Sequence, residues 1–350
     1  MAAADQPKQG AAPAASIPRL KQNKRGTGLW ADAWRRLRRN KLALLGGTII
    51  LVFVLMAIFA PLIAPYPFDI GIFSEDDTAP TWVTQLFPNM VPVEQGGYIT
   101  VNENYFLGTD GLGRDLWSRI LIGSQVSLMV AFIGPLVSLI VGTLVGLVAG
   151  YAGGWVDNLL MRIVDIMYAF PTLLFVILLL AFFRSSVAQP EPGTFSAAIA
   201  DVDRRTGGMF FVFVGIGITS WMGLARLVRG QILSVREKEY IEAARAMGVG
   251  RRGIMFRHML PNILGPIIVA ETLTIPTYIS YEAFLSFIGL GVQQPRPSWG
   301  SMIAEGSSVI SAYPHQAIFP AVALFLVMFA FNFLGDGLRD ALDPRMRGVD

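Results

Sequence analysis

Of the residue types that do chemistry, this 350-residue chain has few, and they are charged groups set among long apolar runs. There is no cysteine, which excludes a disulfide framework, a thiol nucleophile and a Cys-based metal site. The two histidines, His258 and His315, have no HExxH-type partner nearby, and nothing assembles a catalytic group. Gly108, Gly111 and Gly113 lie close together, but no Gly-Lys-Ser/Thr follows them. They are not a phosphate loop, and with no such loop in the chain it cannot hydrolyse ATP itself. What remains is a set of carboxylates and guanidiniums whose surroundings make them costly. Glu271 falls nine residues past Asn262 in an otherwise uncharged run, about 13 Å along a straight helix. At that depth in a bilayer a carboxylate costs about 2.5 to 3.5 kcal/mol. It either lines a water-filled pathway and meets a positive group, or is held by a Ser, Thr or backbone partner on a neighbouring helix. Glu282, further along the same run, is the second possible pathway carboxylate.

Two clusters are better defined. Leu107 to Arg119 gathers Gly108, Thr109, Asp110, Gly113, Arg114, Asp115, Ser118 and Arg119. The glycines allow a tight fold, and the four charged residues can pair among themselves, as a self-satisfied structural knot or as a contact for substrate. The second cluster is a charged island from Arg226 to Pro261 between two apolar segments. Read as a helix, its Tyr240, Ala243, Ala244 and Met247 recur three and four apart and form one apolar stripe, with Glu242 and Arg245 off it. Gly248 stands where a C-terminal cap belongs. Gly250 and Gly253 loosen the next turn, and Leu260-Pro261 opens the following helix. The expected unit is a short helix, a sharp turn and a second helix.

The elements that must position these clusters are membrane helices. The chain is 53% hydrophobic and 15% charged, against about 25% charged in an ordinary soluble domain. Its net charge of +3 is not pooled on one surface, so no nucleic acid partner is expected. Residues 42–64 are uncharged and long enough to span a bilayer. Further spans are expected within 120–156, over 163–183 with a kink at Pro171, over 209–225, over 262–287 and over 316–334. Gly134, Ser138, Gly142, Gly146 and Gly150 recur every fourth residue, a small-residue stripe for close helix packing. Arg162 and Asp165 are spaced to pair one turn apart. Before the first span, Trp30 to Lys41 reads as a basic amphipathic helix at the membrane surface, preceded by a tail expected to be disordered. Residues 65–119 form a polar excursion in which Tyr98 to Val101 reads as a strand, and 184–208 form a second polar loop whose role the sequence leaves open.

Four separated stretches carry a family resemblance. Glu242-Ala243-Ala244 with Gly248, Ile254 and Leu260-Pro261 resembles the EAA loop of binding-protein-dependent ABC importer permeases. Leu107 to Arg119 is similar to the LGTDxxGRDxxSR stretch of the dipeptide/oligopeptide/nickel branch, C-type subunit. Glu282 to Gly291, continued by Ser298-Trp299-Gly300, resembles that family's EAxLSFLGLG element, and Asn332 to Arg345 resembles its closing NxLGDxLRDxLDPR. The resemblance implies an all-α polytopic protein with six transmembrane helices, the type I (MetI-like) importer fold, and a cytoplasmic coupling helix. It implies a bacterial inner-membrane permease for di- or oligopeptides, with nickel, glutathione and oligosaccharides carried by close relatives. It also implies partners: a second homologous permease, two ATP-binding subunits that hold ATP and Mg, an extracytoplasmic solute-binding protein, and membrane lipid. The chain itself is expected to hold no cofactor. A secondary transporter or channel is the rival, and it would need more buried ion-binding residues than Glu271.

The expected division is therefore a tail and elbow helix over 1–41, a first span over 42–64, an extracytoplasmic loop over 65–119, a five-helix core over 120–336 with the EAA loop at 226–261, and a tail over 337–350. On this division one side of the six spans holds 22 of the 28 basic residues. The positive-inside rule then puts both termini and the EAA loop in the cytoplasm.

Overall fold

Backbone amides in hydrocarbon have no water to bond, so apolar runs that cross a membrane must satisfy themselves as helices. The computed structural model, which describes residues 29–186, 190 and 193–343, is built that way. Helix α1 (Leu29–Leu37) leads to Asn40, whose side chain caps α2 (Lys41–Ile63) by accepting from the Leu42 and Ala43 amides at 3.1 Å each. The excursion that follows carries the short α3 (Thr81–Leu86). A single 37-residue helix, α4 (Leu116–Ala152), comes next, interrupted by a π-helical turn at Ser138–Gly142 just after Pro135. Then come α5 (Gly154–Tyr168), α6 (Thr172–Ser186), α7 (Phe195–Arg205), α8 (Phe210–Arg236), α9 (Glu239–Ala246), α10 (Arg251–Phe287), α11 (Trp299–Ser307) and α12 (Pro314–Leu342).

Five of these helices are each long and apolar enough to cross a membrane. A sixth span results if the pair α5 and α6, bent by 81° across Ala169 to Pro171, is counted as one. The expected kink at Pro171 is thus a break: Pro171 donates no amide, and the residue before a proline is pushed out of the helical region. The pair still runs from one end of the bundle to the other. At its start Asp157 takes a bidentate bond from Arg229 (2.5 and 2.6 Å), near the end of α8. At its finish Arg184 donates to the carbonyls of Gly208 (3.2 Å) and Gly291 (2.7 Å), which flank the opposite ends of α8 and α10.

The small-residue stripe of α4 does what its spacing predicts. A Cβ added at Gly142 would stand 2.7 Å from the Trp221 carbonyl, and one at Gly146 2.5 Å from that of Ala225. The two helices touch backbone to backbone, so dispersion acts across a surface where lipid supplies no hydrophobic drive. Behind this seam lies a core of Phe53, Leu128, Ile279, Trp299, Val327 and Phe331. Trp299 is fully buried, edge-on to Phe53 at 5.5 Å, and its indole donates to Ile120 O at 3.1 Å.

Other expectations are corrected. Tyr98 to Val101 is no strand: Ile99 and Val101 make one isolated bridge each, to Pro92 and Ala79. Prolines at 80, 88 and 92 deprive any neighbouring run of the donors a ladder needs. The helix of the fourth span does not stop at Ala225: α8 continues to Arg236 with Leu224, Val228 and Ile232 still buried on one face. Leu260-Pro261 opens the α-helical stretch Leu260–Phe287, with the proline in its first turn as expected, but a π-helical turn at Ile254–Met259 and not a loop precedes it within α10. Asp165 pairs with Arg226 at 2.6 Å, not with Arg162. The loop at 184–208 contains α7. Residues 1–28 and 344–350, including the expected disordered tail and the end of the closing motif, lie outside the described residues.

Candidate functional site: the short helix α9 and the Leu107–Arg119 knot

Helix α9 is stopped by a Schellman turn. Gly248 takes φ +80°, its amide bonds the Arg245 carbonyl (3.0 Å), and the Val249 amide bonds that of Ala244 (3.1 Å). A Cβ at Gly248 would meet nothing within 4 Å, so the glycine is there for its backbone conformation alone. The apolar stripe expected along this helix is divided between two faces. Ala244 is buried together with Ile241, which the stripe had omitted, and both turn toward their own chain. Ile241 joins Ile232 of α8 and Ile254, Met259 and Ile263 of α10 in one cluster, with Leu260 packed against it. Tyr240 and Met247 are exposed, at 43% and 76%, as are Glu242 and Ala243 between them. One side of α9 therefore ties it to the ends of two long helices, and the other offers an apolar strip with one carboxylate beside it. Pro261 is exposed and has no part in the α9 contact.

At the opposite end of α8 and α10, the Leu107–Arg119 stretch folds on itself. Asp110 accepts from the amides of Leu112 (2.9 Å) and Arg114 (3.0 Å) and from Arg114 Nε (2.7 Å). Gly108 and Gly113 hold positive φ values that close the turn. Asp115 takes no arginine. It caps α4, accepting from the Ser118 amide (2.8 Å) and hydroxyl (2.6 Å), and burial raises its carboxyl above the usual range against those bonds. Thr109 donates to Glu75 O at 2.6 Å, and the Gln316 amide binds Thr109 O and Asp77. The residue that completes the knot is Glu305 of α11. Its Oε2 receives Arg114 at 3.0 Å and Arg119 at 2.9 Å, with the two guanidiniums 6% and 1% exposed. Sequence reasoning missed Glu305, which lies 186 residues from Arg119 with no spacing signal to connect them.

The two carboxylates in the apolar run are both held inside the bundle. Glu271 accepts from Ser138 at 2.6 Å, in the π turn of α4. Glu282 is fully buried and accepts from Ser286 (2.7 Å) and Ser127 (3.1 Å). These bonds favour the structural alternative for both. Among the described residues no three His, Cys, Asp or Glu gather as they would around a metal ion.

Comparison with known proteins fits this layout. A family model described as "Binding-protein-dependent transport system inner membrane component" matches residues 142–348. Another, the "N-terminal TM domain of oligopeptide transport permease C", matches 28–82. The oligopeptide transport system permease protein OppC of Bacillus subtilis is 37% identical over 93% of this chain and 93% of its own. OppC of Escherichia coli K12 is 40% identical over 92% of this chain and 93% of its own. The glutathione transport system permease protein GsiD of an Escherichia coli O6 strain is 38% identical over 91% of each chain. A solved inward facing structure of the MetNI methionine ABC transporter superposes with a TM-score of 0.51 at 20% identity, covering 65% of this chain and 98% of the other. That likeness is one of fold.

Proposed function

The chain belongs to the binding-protein-dependent inner membrane components as an ABC importer permease, and from that premise we propose that it carries short peptides, with α9 as the helix through which ATP-driven motion enters. The observation that carries this reading is the two-sided character of α9. Ile241 joins it to the cluster shared by α8 and α10 and Ala244 is buried on the same side, while Tyr240, Ala243 and Met247 face outward where a partner's groove can take them. A force applied to the outer side is passed to both long helices as a rigid unit.

The rest of the assembly follows from that role. A second homologous permease completes the pathway, two ATP-binding subunits holding ATP and Mg seat the α9 helices, and a solute-binding protein delivers cargo on the other side. Closure of the ATP-binding subunits biases the helices between inward-open and outward-open arrangements, a coupling between distant sites. The Leu107–Arg119 knot braces the face where cargo arrives. A short-peptide cargo is supported by the named cargoes of the relatives, oligopeptides and glutathione.

The test is to tag the full chain, express it with its own partners and weigh what copurifies from gentle detergent. ATP-hydrolysing subunits and a peptide-loaded binding protein are expected. Ala243→Arg changes an exposed residue and leaves folding alone, but sets an unpaired charge in a groove. The copurified ATPase should fall by about tenfold or more. Full recovery of ATPase with the variant, or a parental preparation that brings none, would overturn the assignment.

A further inference from the structure

Where α1 meets the ends of α8, α10 and α12, the chain forms an open pocket of about 540 Å³. Arg36, Arg339, Gln231 and Asn262 are the polar residues of its lining apart from two carboxylates. Among the described residues neither arginine forms an ion pair. Two carboxylates share the lining, but Asp32 lies 3.9 Å from Arg35 and Asp343 has an interaction of its own.

The depth of this cavity can be read from three helices independently. Arg36 lies five residues before Lys41, where the first span begins. Asn262 opens the uncharged part of α10, and Arg339 sits in the last turn of α12, beyond its apolar stretch. All three put the cavity at the level of lipid headgroups. Trp30 and Trp34, exposed at 53% and 56%, stand at the same level, as belt tryptophans do. Pro266 and Val269, deeper along α10 than Asn262, continue the wall toward the hydrocarbon.

We propose that this cavity is a binding site for the headgroup of an anionic phospholipid, its phosphodiester held between Arg36 and Arg339. A guanidinium forks onto two phosphate oxygens, and among the described residues neither Arg36 nor Arg339 is held by an ion pair. The apolar wall distinguishes a lipid from a soluble phosphate, because only a lipid has chains to lay along Pro266 and Val269. Arg38 and Arg39 on the same helix raise the local concentration of acidic lipid without lining the site. Seating α1 by this means would fix the start of the first span.

The experiment uses the full chain with its copurifying subunits, delipidated and then exposed to dioleoyl-phosphatidylglycerol, phosphatidylethanolamine or phosphatidylcholine, with bound lipid counted by native mass spectrometry. The parent should retain phosphatidylglycerol selectively, and excess inorganic phosphate should not displace it. Arg36→Gln with Arg339→Gln should lose that selectivity, each guanidinium contributing about fivefold in affinity. Arg36→Lys with Arg339→Lys should keep most of it, which separates charge loss from misfolding. Arg35→Gln with Arg38→Gln removes two charges from the same helix outside the cavity and should keep it as well. The site is refuted if that control pair loses as much as the cavity pair, or if phosphatidylcholine is retained equally. It is refuted too if lipid enters only after residues 1–28 are deleted, since the cavity then belongs to that segment.

Discussion

Glu305 is a half-exposed glutamate on a short helix, and it faces two of the most deeply buried cations in the chain. Arg114 and Arg119 share it, and only Asp110 supplies a second negative charge within reach. Breaking a buried ion pair from one side costs about 3 to 5 kcal/mol, because the charge left behind has lost its water. The Glu305 side chain is 31% exposed, so some water can enter its place and the loss should be nearer 2 kcal/mol. Glu305→Ala is therefore expected to lower the melting temperature of the purified protein by several degrees, and Glu305→Asp by less. A melting temperature within a degree of the parent would mean the knot does not rest on this residue. The sequence made Asp110, Arg114 and Arg119 visible as a cluster because they lie within one short stretch. It gave Asp115 the wrong partner, since the capping preference of an aspartate just before a helix competes with its charge, and the capping role won.

Helix boundaries were harder to see than helix existence, and α8 shows why. A membrane span was expected to end where charges begin, at Arg226. Charge marks the edge of the hydrocarbon and says nothing about backbone hydrogen bonds, so the helix continues to Arg236 into water. The spacing of Leu224, Val228 and Ile232 was the available signal. The 81° break at Pro171 had only a proline to announce it, and a proline is compatible with anything from a mild bend to a stop. The cap of α9 was legible because the left-handed conformation selects glycine so strongly. That selectivity gives a prediction about the element as a whole. Gly248→Val must adopt φ near +80° with a branched side chain, at about 1 to 2 kcal/mol, and the cheaper course is to unwind the Schellman turn. Helix α9 would then move independently of α8 and α10. Peptide uptake should fall steeply while membrane insertion stays normal, and Gly248→Asn, which tolerates this conformation, should retain more uptake. Uptake at the parental rate from Gly248→Val would mean that a rigid α9 is not needed.

At the scale of the whole molecule the open question is which end faces the cytoplasm, and the contacts sharpen what the charge count began. One end carries α1, the close of α8, α9 and the close of α12. Counted over residues 1–41, 226–261 (which include the start of α10) and 337–350, that end holds 21 basic residues, and Arg162 of α5 makes 22 of the 28. The six at the other end are mostly committed. Arg114 and Arg119 are bound to Asp110 and Glu305, Arg184 to two carbonyls, and Arg204 and Arg205 to Asp201. Arg184 and Arg296 make no ion pair among the described residues. The rule weighs the excess of Lys and Arg near the spans and not net charge, and that excess lies at the α9 end. The end with α9 should therefore be cytoplasmic, where ATP is. A reporter enzyme active only outside the cytoplasm should work when fused near Thr100 or Ala198 and stay silent at Arg251. The Ala198 fusion is the stricter arm, since it lies after the bent pair α5 and α6 and reports whether that pair crosses. Activity at Thr100 with silence at both Ala198 and Arg251 would show that the pair turns back without crossing. Activity at Arg251 with silence at Thr100 would invert the molecule and take α9 out of reach of any ATPase.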